Sequence, residues 1–151
     1  MGTRFRAAMI AAFAASLLLV APTAAAGNKL LDASMTGIAV GGQVLLGQTG
    51  GGVPWALDKG DAKLWSDGSL KVKVRGLVVA ASGVNPIGTG IAVVVCGGGT
   101  SSVSSAPVPF SPAGDATVDT VVDLPAPCLA PVVFFSGVTG NGPRWFAVTG
   151  G

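Results

Sequence analysis

Beyond residue 26, the apolar residues of this chain fall in short Val-rich runs. Each run is cut off by Gly, Pro, Ser or Asn, and none keeps a helical period. That is the pattern of an all-β domain. Seven strands are expected, at 55–65, 69–77, 91–97, 100–105, 115–124, 131–136 and 144–149. The run 91–97 is apolar almost throughout, as a central strand buried on both faces would be. Residues 27–53 read least clearly. Val40 to Leu46 is expected to hold an edge strand, and Gln48 to Pro54 to form a flexible Gly-rich loop.

The clearest element is a hairpin closed by Ser66-Asp67-Gly68, a three-residue loop with Gly at the left-handed position. It sets Leu64 opposite Leu70 and Ala62 opposite Val72, all on the buried side. A two-residue loop would set Leu64 against Lys71 and reverse the faces. Seven short strands in about a hundred residues predict an immunoglobulin-like antiparallel β-sandwich. There 69–77 and 115–124 are neighbours, so Lys71, Lys73 and Arg75 form a basic stripe beside an acidic one of Asp115, Asp119 and Asp123. The other reading of the basic stripe is a surface for a polyanion.

The chain begins like an exported protein. Arg4 and Arg6 precede the apolar run Ala7 to Ala21, which is too short to span a bilayer comfortably, and Ala24-Ala25-Ala26 supplies small residues for cleavage before Gly27. The expected organisation is a signal peptide at 1–26, a partly flexible N-terminal segment at 27–53, and the sandwich domain at 54–151. The expected product is secreted and extracellular, has no membrane attachment after cleavage, and is a monomer. Beyond residue 26, Lys29, Lys59, Lys63, Lys71, Lys73, Arg75 and Arg144 face seven Asp. The formal charge of +2 therefore belongs to the signal segment. Without a net field, nucleic acid is not an expected partner.

Two Cys in an exported chain predict one disulfide, Cys96–Cys128. Cys96 ends strand 91–97 and Cys128 lies just before 131–136, so antiparallel pairing of those strands brings the two together. The closed loop is worth about 3–4 kcal/mol in the chain-entropy model. Zinc is a poor alternative, because no His or further Cys completes a tetrahedral site.

Several short segments resemble a group of small secreted bacterial proteins, mainly actinobacterial, that have no established function. The matching residues include Pro54-Trp55, Gly60-Asp61-Ala62, Arg75-Gly76-Leu77, Val95-Cys96-Gly97-Gly98, Phe110-Ser111-Pro112-Ala113-Gly114, Leu124 to Pro131 and Trp145-Phe146-Ala147. The resemblance implies export and a single domain, and it carries over no catalytic or ligand residue. Ser66-Asp67-Gly68-Ser69 with the Val-rich strand after it also looks like part of the secreted chromophore-binding apoproteins of actinomycetes.

The chemistry-bearing residues are few. All seven acids are Asp, and there is no His, Glu or Tyr. Asp and Lys are then the side chains left for acid–base work, which argues against an enzyme. No glycine-rich segment leads into a helix carrying Lys-Ser or Lys-Thr, so no phosphate loop is present. No cofactor is expected. Asp58, Asp61 and Asp67 are too sparse for a calcium loop. Trp55, Trp65 and Trp145 are weighed as a sugar-stacking platform against the ordinary role of Trp in a core. Trp65 has the outward parity.

The expected binding surface is a pole where loops 82–90, 106–114 and 137–143 gather, opposite the disulfide. Its candidate residues are Asn85, Thr89, Phe110, Thr139, Asn141 and Arg144, against the alternative that they serve only tight turns. The expected function is non-catalytic binding or a structural role outside the cell, with a protein or cell-surface component as partner. The alternatives are a carrier of a small apolar ligand and, third, a hydrolase with an Asp/Lys-based site.

Overall fold

Short apolar and alternating runs commit about half of the described residues to strands, and the turn residues between them decide which strands meet. The computed structural model describes residues 21 and 26–150. The expected signal segment lies outside the described residues apart from Ala21 and Ala26. The strands are β1 (Lys29–Gly37), β2 (Val44–Leu45), β3 (Gln48–Thr49), β4 (Trp55–Ala56), β5 (Lys59–Trp65), β6 (Ser69–Arg75), β7 (Val78–Val79), β8 (Thr89–Cys96), β9 (Ser101–Ser104), β10 (Val108–Pro109), β11 (Ala116–Val121), β12 (Val132–Thr139) and β13 (Gly142–Thr149). A single 3-10 turn at Gly97–Gly99 follows β8.

The fold is all-β, built on one curled antiparallel sheet with the order β10-β8-β12-β13-β1-β5-β6-β11, and with β9 also paired to β8. Strand β1 makes the curl. Its first part, through Ser34, pairs with β5, and Met35 to Gly37 pair with β13. The apolar sides of both halves share one core, in which Leu64, Leu70, Val72, Val118, Val94 and Phe135 are fully buried.

All seven expected strand positions carry strands, but the count of seven is corrected to thirteen among the described residues. Run 55–65 divides into β4 and β5. The short β7 pairs with β4, and β10 pairs with β8. The largest addition is β1, within a segment whose pattern Lys-Leu-Leu-Asp-Ala-Ser-Met does not alternate cleanly. The reason is a bulge between Lys29 and Leu31, which shifts the pairing by one residue. The edge strand expected across Val40 to Leu46 is only Val44–Leu45, hairpinned to Gln48–Thr49.

The expected hairpin register holds: Leu64 pairs with Leu70, and Ala62 with Val72. Gly68 has φ +85°, and Asp67 Oδ1 accepts a hydrogen bond of 2.9 Å from the Ser69 amide. The other two expected neighbours also pair, β6 with β11 and β8 with β12. The disulfide Cys96–Cys128 is formed, with 5.0 Å between Cα atoms.

The charge stripes lie side by side as expected, but among the described residues they meet in one ion pair. Lys71 lies opposite Asp119 and pairs with it at 3.3 Å. Lys73, however, faces Thr117. Arg75 donates to the carbonyls of Val74 and Ala116 (2.8 and 3.2 Å) and to Thr117 Oγ1 (3.3 Å), while Asp115 accepts from the Gly76 amide. Strand β11 ends the sheet, so Asp119 puts charge on an open edge, where it discourages pairing with another chain.

Candidate functional site

The loop pole is built from inside. Gly90 at the start of β8 pairs with Gly137 near the end of β12, so the β12–β13 turn projects beyond the start of β8. Both glycines are required by close approach. A methyl group on Gly90 would run into the Phe135 ring, and one on Gly137 into the Phe146 ring and Ile87. Loop 106–114 is held against loop 82–90 by Val108 pairing with Gly90, and by the Phe110 amide donating to the Gly88 carbonyl. The three loops do lie side by side. The disulfide closes the far end, where Cys96 ends β8.

Asn85 and Phe110 organise this pole from within. Asn85 is only 3% exposed. Its Nδ2 donates to the carbonyls of Ile87 (2.7 Å) and Ser111 (2.8 Å), and its Oδ1 accepts from the Ile87 amide (2.8 Å). One amide side chain thereby ties two loops together. Phe110 is buried edge-on against Phe135 (5.1 Å between centroids) and lies 6.4 Å from Trp55, which stacks on Phe146 at 3.8 Å. Neither residue reaches the surface of the pole.

The other candidates are outward or partly so. Thr89 is half-buried in the β8–β10 pair. Thr139 Oγ1 donates to the Gly142 carbonyl at 2.6 Å and accepts from the Asn141 amide at 3.3 Å, closing the turn that exposes the Asn141 side chain. Arg144 is half-buried, and its nearest acceptor is the Pro143 carbonyl at 3.5 Å. Two exposed valines not singled out in the sequence join them, Val84 and Val138. Solvent-facing parity on a hairpin marks Val138. Nothing in the local sequence marks Val84.

Trp55 and Trp145 are core residues, whereas Trp65 is half-buried on the outer side of β5 with Lys29 Nζ 5.9 Å from its ring. On that outer side the ionised groups mostly have partners. Asp32 takes Lys29 at 2.7 Å and Lys63 at 3.9 Å. The Lys29 hydrogen bond, aided by both positive charges, holds the Asp32 carboxyl below the usual Asp range. The Asp67 carboxyl is also lowered, first by the Ser69 amide and hydroxyl and then by the Gly27 amide.

Several surface depressions lie away from the pole. Shallow grooves of about 160 and 190 Å3 run along the outer side of β5 and β6. A wider groove of about 310 Å3 lies at the disulfide end, lined by Leu30, Leu124, Pro125, Pro127, Cys128 and Leu129. Among the described residues, no three His, Cys, Asp or Glu side chains are grouped to hold a metal ion. Comparison of the chain with protein-family models, with curated proteins and with solved structures returned no match.

Proposed function

We propose that this chain is a secreted, monomeric, non-catalytic binding module that meets an extracellular protein or cell-surface component through its loop pole. One observation carries this reading. Three loops from separate parts of the sequence lie side by side, two fastened by the buried Asn85 and Phe110 and the third placed by the pairing of Gly137 with Gly90, while Val84, Val138 and Asn141 face solvent. Loops held on a rigid frame are where binding proteins place their contacts, and apolar side chains among polar ones suit a protein partner.

The neighbour orders β5-β6-β11 and β9-β8-β12-β13 support reading the curled sheet as an immunoglobulin-like sandwich, with β1 added along its edges. The disulfide and the signal-like start support export. Structural duties for Asp32, Asp67, Asp115 and Asp119 support a role without catalysis.

The test is affinity capture from culture medium and cell-wall extract, with Asn141→Ala plus Arg144→Ala beside the natural sequence. Specific partners should be lost from the double variant, and identical partners on both proteins would refute the pole as the contact surface. A second reading, carriage of a small apolar ligand, is favoured by the groove of about 310 Å3 at the disulfide end, because ligand sites begin near ~300 Å3. Saturable uptake of an apolar fluorophore that Leu129→Asp abolishes would favour it, and uptake unchanged by Leu129→Asp would remove it.

A further inference from the structure

Six of the seven cations beyond the signal segment lie on one face, the outer side of β1, β5 and β6; only Arg144 lies elsewhere. Two cross-strand pairs on that face join like charges, since Lys63 sits directly opposite Lys71, and Lys59 directly opposite Arg75. Such pairs work against the sheet. The first is offset by carboxylates on both flanks, Asp32 beside Lys63 and Asp119 beside Lys71. The second has no ion pair of its own among the described residues, and the carboxylate beside it is Asp61, directly opposite Lys73. Among the described residues, Lys59, Lys73 and Arg75 have no carboxylate oxygen within ion-pairing distance. Asp61 lines the same groove, and Asp58 and Asp115 lie near Gly76 at its end.

The geometry points to a second binding surface: the outer face of β5 and β6, centred on Lys59, Lys73 and Arg75, takes an acidic polysaccharide. Lys71, Lys73 and Arg75 succeed one another on one strand face at about 6.6 Å intervals, a straight row suited to an extended chain. Arg75 is held in place by its bonds to Ala116 and Thr117, which leaves the Lys59 and Lys73 ammonium groups to meet the anion. Asp61, opposite Lys73, and Asp119, opposite Lys71, flank the row on the neighbouring strands, so a polymer charged at every unit would be repelled at intervals. A chain alternating acidic and neutral sugars is not, and its hydroxyls can donate to those carboxylates. Trp65 continues the face beyond Lys63, and because Lys29 Nζ lies over its half-buried ring at 5.9 Å, a sugar stacks there by displacing that lysine. This surface is separate from the loop pole and stands or falls independently of it.

The test is calorimetric titration with hyaluronan fragments, in which acidic and neutral sugars alternate, at low salt and at about 0.15 M, where the screening length is about 8 Å. Binding should weaken with salt. Lys59→Ala plus Lys73→Ala should lose at least about fivefold in affinity, the value of one unit-charge contact in water. Both side chains point into solvent, and an unchanged melting temperature checks that the variant is folded. Lys73→Gln alone serves should the double variant misfold. Arg144→Ala, which removes a cation at the pole, should bind as the natural sequence does. The proposal is overturned by no binding at low salt, by equal affinity in the double variant, by a matching loss in Arg144→Ala, or by tighter binding to single-stranded DNA.

Discussion

The two halves of the sheet solve burial differently. In β8 and residues 133–137 of β12 nearly every residue is buried, whichever way it points. Phe134 and Trp145 pack edge-on over one side, while Phe135, Phe110, Trp55 and Phe146 cover the other. In β5 and β6 only alternate residues are buried, and the residues between them carry the charges. The first half has no face left over for anything but packing. The second presents water with a regular array of cations whose internal partners are incomplete. The cost of a substitution should therefore follow the half it falls in, and binding effects should follow the opposite rule.

The sharpest way to break this contrast is in the packed half. Phe135→Ala removes a ring that touches Phe110 and fills the space over Gly90, and should cost about 3–5 kcal/mol in a denaturant melt. A loss below about 1 kcal/mol would mean the core is looser than described. Cys96→Ala plus Cys128→Ala should cost about 3–4 kcal/mol through the freed loop of the unfolded chain. Alkylation before and after reduction checks the bridge itself: two thiols should appear only after reduction. At the pole, Asn85→Ala strands two carbonyls and an amide and should cost about 1–3 kcal/mol.

The charged half should respond to acid. Asp32 and Asp67 have folded-state carboxyls below their unfolded values. Their contribution is present above the unfolded value of about 3.9, and it is lost as pH falls from there through the lower folded values. The melting temperature should thus fall as pH drops below about 4. Asp67→Asn should make that fall shallower; an identical pH profile would show that Asp67 does not contribute.

The parts of this fold legible in the sequence were those with a local cause. Ser66-Asp67-Gly68 sets the β5–β6 register because a left-handed residue is needed at Gly68, and the cysteines follow from the neighbours β8 and β12. What stayed hidden depends on long-range pairing. The bulge in β1 breaks its alternation, so a strand central to the curl reads as irregular. A second irregularity, between Phe135 and Ser136, leaves Phe146 without an opposite residue and turns its ring toward Trp55. At the pole the three loops were correctly grouped. That Asn85 faces inward was not legible, because an Asn beside a Pro reads the same whether its amide binds water or a distant loop. The basic stripe on β6 is legible, and the same hairpin register that sets Leu64 opposite Leu70 also sets Lys59 opposite Arg75.

The central claim is that the two outer-face cations without an ion pair or side-chain hydrogen bond among the described residues, Lys59 and Lys73, serve something other than stability. Lys59→Thr tests it most directly, since Thr suits a strand and relieves the like-charge pair with Arg75. Reversible denaturant unfolding should show stability unchanged or raised by a few tenths of a kcal/mol, within the roughly 0.2–1 kcal/mol scale of cross-strand pairs. A loss of about 1 kcal/mol or more would contradict it, because Lys59 would then be holding the sheet together.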